Sequence, residues 1–412
     1  MRTRAFRYLS SIVVISSGTS FGCTNFDLPE RITDTRVIGI RTEPAEILFS
    51  PLFLTPAAQR PPFFPLPSFD VDVEVFAFDP RLGSTTTTIQ LCPEGSGDSS
   101  CRLFDPQEAL AGLPEPARTE VAALLVPQSY DGDIAEDATP IGRITPNLFT
   151  YTFTPAVIDF LQPKNADGEP TASIFPLLPR FVVNIENHDV EDGSLTDVQA
   201  IGRTPPPPNA ERAFKRIPIA VDLTSPDLPA EFRQTLADGL GVSLCEAPLP
   251  AGDDFVEGEA ACLHPRVPNV NPALVGFRLE ETDDPTLLTK ETLFGDVPDL
   301  GLGSFVRANP GATIALTPMF RDGGVERYQV ISFDIESSKI KILNREEDLA
   351  CTWYFTRGSV DSALTALEFG DHLGVVWRLP QNAEPGERDS LILVVLDQRG
   401  GTSVAEVTVE YR

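Results

Sequence analysis

The sequence predicts a mainly β protein made of two antiparallel β-sandwich units with short helical insertions, joined by a Pro/Cys-containing linker. Three observations carry this prediction. Short runs that alternate apolar and polar residues recur along the chain with turn residues between them, the pattern of half-buried strands. Pro accounts for 39 of the 412 residues, about twice its usual ~5% share, which suits short strands joined by loops and works against helix bundles. Hydrophobic residues make up 42%, enough for real cores in a chain of this length and too many for wholesale disorder.

The first unit is expected over 36–223. It opens with RVIGI, where Val37, Ile38 and Ile40 are strand-like and Pro44 ends the run. In FDVDVEVFAF, Val71, Val73, Val75 and Ala77 alternate with Asp70, Asp72, Glu74 and Phe76, so the valines share one face. TTTTIQLC leads into Cys92. Two helical interruptions follow: DPQEALAGLP, with Asp105 as its cap, and PEPARTEVAALLVP, with Val121, Leu124 and Leu125 on one face. Strands resume in LFTYTFT and RFVVNIEN, and HDVEDGSL reads as a hairpin tip before TDVQAIGR. TPPPP at 204–208 is a stiff polyproline element, and AFKRIPIAVDL reads as a strand with a Pro at its edge. Residues 224–268 read as the linker, a short helix in PAEFRQTLADGLG followed by a loop between Cys245 and Cys262.

The second unit, 269–412, runs through NVNPALVGFRLE, ATIALTPMF, YQVISFDIE, CTWYFTRG, GVVWRLP, SLILVVLDQRGG and SVAEVTVEYR. Its last two runs flank Asp397, Gln398, Arg399, Gly400 and Gly401, a hairpin in which Gly supplies positive φ. This unit resembles the immunoglobulin-like or PKD-like repeats of bacterial surface lipoproteins. The residues that carry the resemblance are Trp353 on a central strand, WRLP at 377–380, and VVLDQRGG; 36–223 matches more loosely. It implies two immunoglobulin-like β-sandwiches with Trp353 and Trp377 in the core. Cys351 has no cysteine partner later in the unit, so the inter-sheet disulfide of antibody-type domains is not expected.

The N-terminus bears on compartment. MRTRAFR carries three arginines and no acid, and YLSSIVVISSGTS is apolar but shorter than the ~20 residues that span a bilayer. With Gly22-Cys23 after it, this segment resembles a bacterial lipoprotein signal peptide. The resemblance implies removal of 1–22, a lipid on Cys23 and a tether over 23–35, with the protein exported and anchored to the outer membrane of a Gram-negative cell. Ser20 stands where Leu is usual and Phe21 where a small residue is usual, so a periplasmic or secreted product of ordinary cleavage is the alternative.

Charge and cysteines point the same way. The 32 Lys+Arg against 60 Asp+Glu give −28; without Arg2, Arg4 and Arg7 the balance is 29 against 60, or −31. Such a charge argues against nucleic acid as a partner and against electrostatic membrane binding. With Cys23 lipidated, two short-range pairs are expected as disulfides, Cys92–Cys101 around PEGSGDSS and Cys245–Cys262 around a sixteen-residue loop. No CxxC or HxxxH spacing suggests zinc. Cys351 is left over, and ACTWYF makes it a buried small hydrophobe rather than a nucleophile.

Catalytic signatures do not emerge: there is no GxSxG elbow, HExxH helix or Walker loop, and GLGSF at 301–305 fails the dinucleotide pattern. His188, His264 and His372 are dispersed. Calcium is a weak candidate at Asn187, Asp189, Glu191 and Asp192: the first three alternate as in an EF-hand loop, but Asp192 sits where glycine is needed; the other acidic clusters read as solvated tips. The Pro-rich apolar stretch 49–69 is expected to fold over the end of the first sandwich or to form a partner-binding lip. The expected function is therefore a non-catalytic binding, adhesion or spacer module with a protein or glycan partner and no cofactor. The alternatives are an accessory or scaffold lipoprotein of an envelope-assembly or secretion complex, and a secreted hydrolase with a non-local site.

Overall fold

The computed structural model describes residues 31–32, 35–50, 66–79, 84–93, 106–133, 145–162, 176–188, 210–225, 228–250, 254–280, 298–321, 325–334, 339–367 and 373–412. The fold is mainly β, with four short helices among these residues. The first unit contains β1 (Arg36–Glu43), β2 (Ile47–Phe49), β3 (Phe69–Phe78), β4 (Ser84–Cys92), α1 (Pro106–Ala111) and α2 (Ala117–Leu125). It continues with β5 (Gln128–Asp133), β6 (Thr145–Phe153), α3 (Pro155–Leu161), β7 (Arg180–Asn187), β8 (Ala210–Arg216) and β9 (Ile219–Val221). One sheet has the order β1-β3-β6 and the other β5-β4-β7-β8, while β2 and β9 pair in parallel.

The valine face of β3 explains why these sheets stack. Val71, Val73 and Val75 meet Phe149, Tyr151 and Phe153 of β6 and, across the interior, Ile89, Leu91, Phe181 and Val183 of β4 and β7. Removal of such side chains from water is the main favourable term. The apolar face of α2, Val121, Leu124 and Leu125, closes one part of this core, and α3 adds Val157, Ile158 and Leu161. The strand reading of LFTYTFT stops at Thr154, whose hydroxyl accepts the Val157 N–H at 3.4 Å, with Pro155 in the first helical turn. AFKRIPIAVDL is two strands rather than one, because Pro218 has no N–H to continue the ladder.

Residues 224–268, expected as a linker, are packed. They contain α4 (Ala230–Leu240) and β10 (Gly258–Ala260). Leu228, Ala237 and Leu263 are buried, and Leu263 belongs to the first unit's core. The Cys245–Cys262 loop doubles back so that Leu244 bridges Leu263, which turns an apolar side chain inward.

The second unit comprises β11 (Leu274–Glu280), β12 (Leu300–Gly301), β13 (Ser304–Ala308), β14 (Thr313–Phe320), β15 (Arg327–Asp334), β16 (Lys339–Glu346), β17 (Leu349–Phe355) and β18 (Ser359–Val360). It ends with β19 (Leu364–Ala366), β20 (Val375–Arg378), β21 (Arg388–Asp397) and β22 (Thr402–Tyr411). Its sheets have the orders β12-β11-β14-β20-β18 and β13-β22-β21-β17-β19. Trp353 and Trp377 are fully buried between them with Phe277, Phe355 and Leu393, as the sequence led us to expect.

Both units use one strand order. Substituting β11, β14 and β20 for β1, β3 and β6, and β19, β17, β21 and β22 for β5, β4, β7 and β8, converts the first pair of sheets into the second, to which β12, β18 and β13 add edge strands. Each unit also has a short early strand that pairs in parallel near its end, β2 with β9 and β13 with β22. The excursions differ. In the second unit the β15–β16 hairpin leaves the sandwich between β14 and β17, pairs with β10, and delivers Ile342 into the core of the first unit.

A small apolar contact also joins the units: Ile32, Ile38 and Phe78 pack on Ile392 and Val394 of β21. Here β1 runs close to β22, and a Cβ at Gly39 would lie 3.0 Å from Val404 Cγ2. The backbone of Ile32 is tied to the second unit as well, its N–H donating to Phe355 O at 2.8 Å.

Candidate functional site

The seam between the units gathers three ionisable groups displaced by burial, Glu347, Glu326 and Lys215. It is built by the β21–β22 hairpin, where Gly400 (φ 103°) lets the chain reverse and presents Arg399 to the first unit. Arg399 is about 10% exposed. It donates to Glu46 Oε2 at 2.9 Å and Glu326 Oε2 at 2.9 Å, and lies 3.7 Å from Glu347 Oε1. Its guanidinium stacks 4.8 Å from the Tyr328 ring centroid. Glu46, in the turn between β1 and β2, also accepts from Arg266 and from the Asn269 N–H at 3.0 Å. Asn271 bonds both units: its amide donates to Thr42 O at 2.9 Å and its carbonyl accepts the Thr402 N–H at 2.8 Å. Lys215 of β8 donates to Gly400 O and to Thr402 Oγ1.

Burial, with the surplus of acids as a secondary cause, sets the protonation of this cluster. Glu46, Glu326, Glu347 and Asp397 face Arg266, Arg399 and Lys215, so the acids outnumber the bases. Burial, followed by the nearby Asp397 charge, pushes the Glu347 carboxyl up to about 8. Its Oε1 is buried without a hydrogen-bond partner, as fits a carboxyl that is neutral at pH 7. Burial also raises Glu326, against the opposing pull of Arg399. Lys215 is pushed down to about 8 by burial, with Asp397 pulling the other way.

Above this network lies a cleft of about 60 Å³, lined by Thr224, His264, Arg266, Tyr328, Gln329 and Arg399 among others. It admits a small polar group and is well below the ~300–1,000 Å³ of an ordinary small-molecule site. The Cys245–Cys262 disulfide stands beside it. Gln329 of β15 clamps the segment around Leu263: its amide N–H donates to Cys262 O at 3.1 Å and its carbonyl accepts the His264 N–H at 2.7 Å.

The other sequence candidates are dispersed. Cys23, Cys101, Asp189, Glu191, Asp192 and His372 lie outside the described residues, as do Asp105, residues 51–65 and most of the tether. Cys92 is disulfide-bonded. Asn187 is fully buried and donates its amide to Asp79 at 2.9 Å, so it is engaged inside the first unit. Cys351 is a buried free thiol raised by burial. Leu66 and Phe69, at the end of the apolar stretch, pack on the first core. His188 is exposed, 3.6 Å from Glu186. Sequence reasoning missed Glu46, Glu347 and Arg399 as a group, since they are separated by more than 50 positions or sit in an ordinary turn; only their meeting in space makes them unusual.

No family model matches the chain. No curated protein matches it either. Among solved structures, an adhesin from Mobiluncus mulieris with intramolecular disulfide, isopeptide and ester cross-links is 8% identical, over 92% of this chain and 99% of that one, with a TM-score of 0.23. A nucleoside hydrolase-related protein from Saccharophagus degradans, associated with carbohydrate metabolism, is 14% identical over 27% of this chain and 22% of its own, with a TM-score of 0.17. Dimeric latent PorU from Porphyromonas gingivalis is 9% identical over 93% of this chain and 24% of its own, at 0.14. Likenesses at these scores carry no argument about function. No helix among the described residues is long and apolar enough to cross a membrane.

Proposed function

We propose that this chain is an exported, lipid-anchored and non-catalytic module of the cell envelope, in which two immunoglobulin-like sandwiches act together as one binding or spacer element. The observation that carries the reading is the seam. Arg399 and Glu46 join the units through a nearly buried ion pair, Asn271 adds part-buried hydrogen bonds to Thr42 and Thr402, and the β15–β16 hairpin places Ile342 in the other unit's core, so the pair is suited to hold a fixed geometry. The strand order supports the immunoglobulin-like assignment, because it follows the A-B-E and C-F-G sheets of that fold, with an early strand parallel to the last. The Cys245–Cys262 disulfide supports an oxidising compartment.

Cell fractionation with protease shaving, on wild type beside Cys23→Ala, tests the anchor. Wild type is expected in the membrane fraction and the variant in the soluble periplasmic or secreted fraction. Retention of Cys23→Ala in the membrane removes the lipid from the proposal.

A further inference from the structure

We propose that, once the Cys245–Cys262 disulfide is reduced, Cys245, Cys262 and His264 form a site for a zinc-class divalent metal ion. The two sulfurs and one imidazole nitrogen lie within 4.8 Å of one another, and all three residues are half-buried. Their convergence follows from backbone geometry. Cys262 and His264 flank Leu263, whose backbone bridges Leu244, and their ligand atoms lie on one side of the segment, near Cys245. The Leu244–Leu263 bridge sets Cys245 beside them, at a Cα–Cα distance of 5.5 Å from Cys262. Ligands roughly 2.3 Å (sulfur) and 2.0 Å (nitrogen) from a tetrahedral ion stand about 3.5–3.8 Å apart, which side-chain rotation supplies after the S–S bond opens.

Two further observations point to a ligand set rather than a chance cluster. The His264 Nδ1–H donates to the Ala247 carbonyl at 2.8 Å. This fixes the tautomer and leaves Nε2 with its lone pair, the outer arrangement that metal-binding histidines use. Gln329 holds both ends of the Cys262–His264 segment, so the frame persists without the disulfide. His264 itself lines the cleft beside the disulfide. The spacing was invisible to the usual CxxC and HxxxH patterns, because the third ligand is a Cys-x-His partner and the first comes from a separate segment.

The chemistry balances. A dithiol reductant gives two electrons and two protons to the Cys245–Cys262 bond and itself becomes a disulfide. The divalent ion then binds the two sulfurs as thiolates, releases their two protons, and takes the imidazole as a neutral donor. In an oxidising compartment the disulfide is the resting form.

Cobalt(II) titration of the full-length protein, reduced with a phosphine and desalted without oxygen, tests the site. Reduced wild type is expected to develop a thiolate-to-cobalt charge-transfer band and tetrahedral visible absorption that saturate near one equivalent, while the oxidised protein shows neither. His264→Ala is expected to weaken binding tenfold or more, and Cys245→Ser with Cys262→Ser to abolish the charge-transfer band. The proposal is overturned by a reduced, folded wild type without the band, by full binding in the double variant, or by unchanged affinity in His264→Ala. Loss of circular dichroism on reduction overturns it too, since the site depends on the retained frame.

Discussion

The first sandwich fills its interior with Tyr151, Phe153 and Phe181, whose ring centroids stand 4.9 and 6.4 Å from Phe181, whereas the second centres on Trp353 and Trp377. The frames share a strand order, yet the first keeps its extra elements for itself and the second exports one. Helices α2 and α3 cover the first unit's own core; the β15–β16 hairpin serves the neighbour's. The difference teaches that the sandwich frame tolerates excursions at several loops, and that the direction an excursion takes decides whether two units behave as one.

The strongest way to break the comparison is through the cores. Trp353→Ala and Phe181→Ala are each expected to lose about 3–5 kcal/mol. In urea unfolding followed by both fluorescence and circular dichroism, coincident shifts of a single transition mean the units unfold together. A second transition in either variant means they are independent. Next comes the seam. Arg399→Met leaves Glu46 and Glu326 short of a buried partner, at an expected cost of about 3–5 kcal/mol, and X-ray scattering is expected to report a more extended pair of units; an unchanged profile and midpoint argue against the charge network as the link.

A smaller effect sharpens the seam's charge logic. Between the ordinary carboxylate value of 4.5 and about 8, folded protein keeps a proton on Glu347 that the unfolded chain releases. The contribution of this group to stability is therefore fully present below pH 4.5 and is lost as pH rises through about 8, with a slope of up to about 1.4 kcal/mol per pH unit. Lys215 runs the other way: between about 8 and 10.5 the unfolded chain holds a proton that the folded one lacks, so this group's contribution grows with pH there. Together they place a stability minimum near pH 8, measurable as Tm against pH, and Glu347→Gln is expected to flatten the acid side of that minimum. Gly39→Val, which crowds Val404 where β1 meets β22, is expected to cost about 1–3 kcal/mol. Leu364→Ser, at a 63% exposed edge position of the second unit, is expected to stay within about 0.5 kcal/mol; a larger loss there means that this edge is covered in solution.

Much of the frame was legible along the chain. Val71, Val73 and Val75 declare their shared face through a period of two, Val121, Leu124 and Leu125 through helical spacing, and the 397–401 hairpin through its glycines. Other elements carried a readable signal that a stronger neighbour masked, as where Thr154-Pro155 starts α3 directly after an alternating strand. The polar strand β5 and the β16 run of KIKILNRE went unread because one is nearly devoid of apolar residues and the other sits against a turn-rich stretch.

By itself, the sequence determined the β class, the identity of the core tryptophans and the loop that Cys245 and Cys262 close, because periodicity, volume and short loop closure are local properties. Only the tertiary structure decided that 224–268 is packed rather than a linker, that Arg399 meets Glu46 from 353 positions away, and that His264 joins the two cysteines. Those outcomes depend on which surfaces the folded units present to each other, and no window along a chain contains both sides of such a contact.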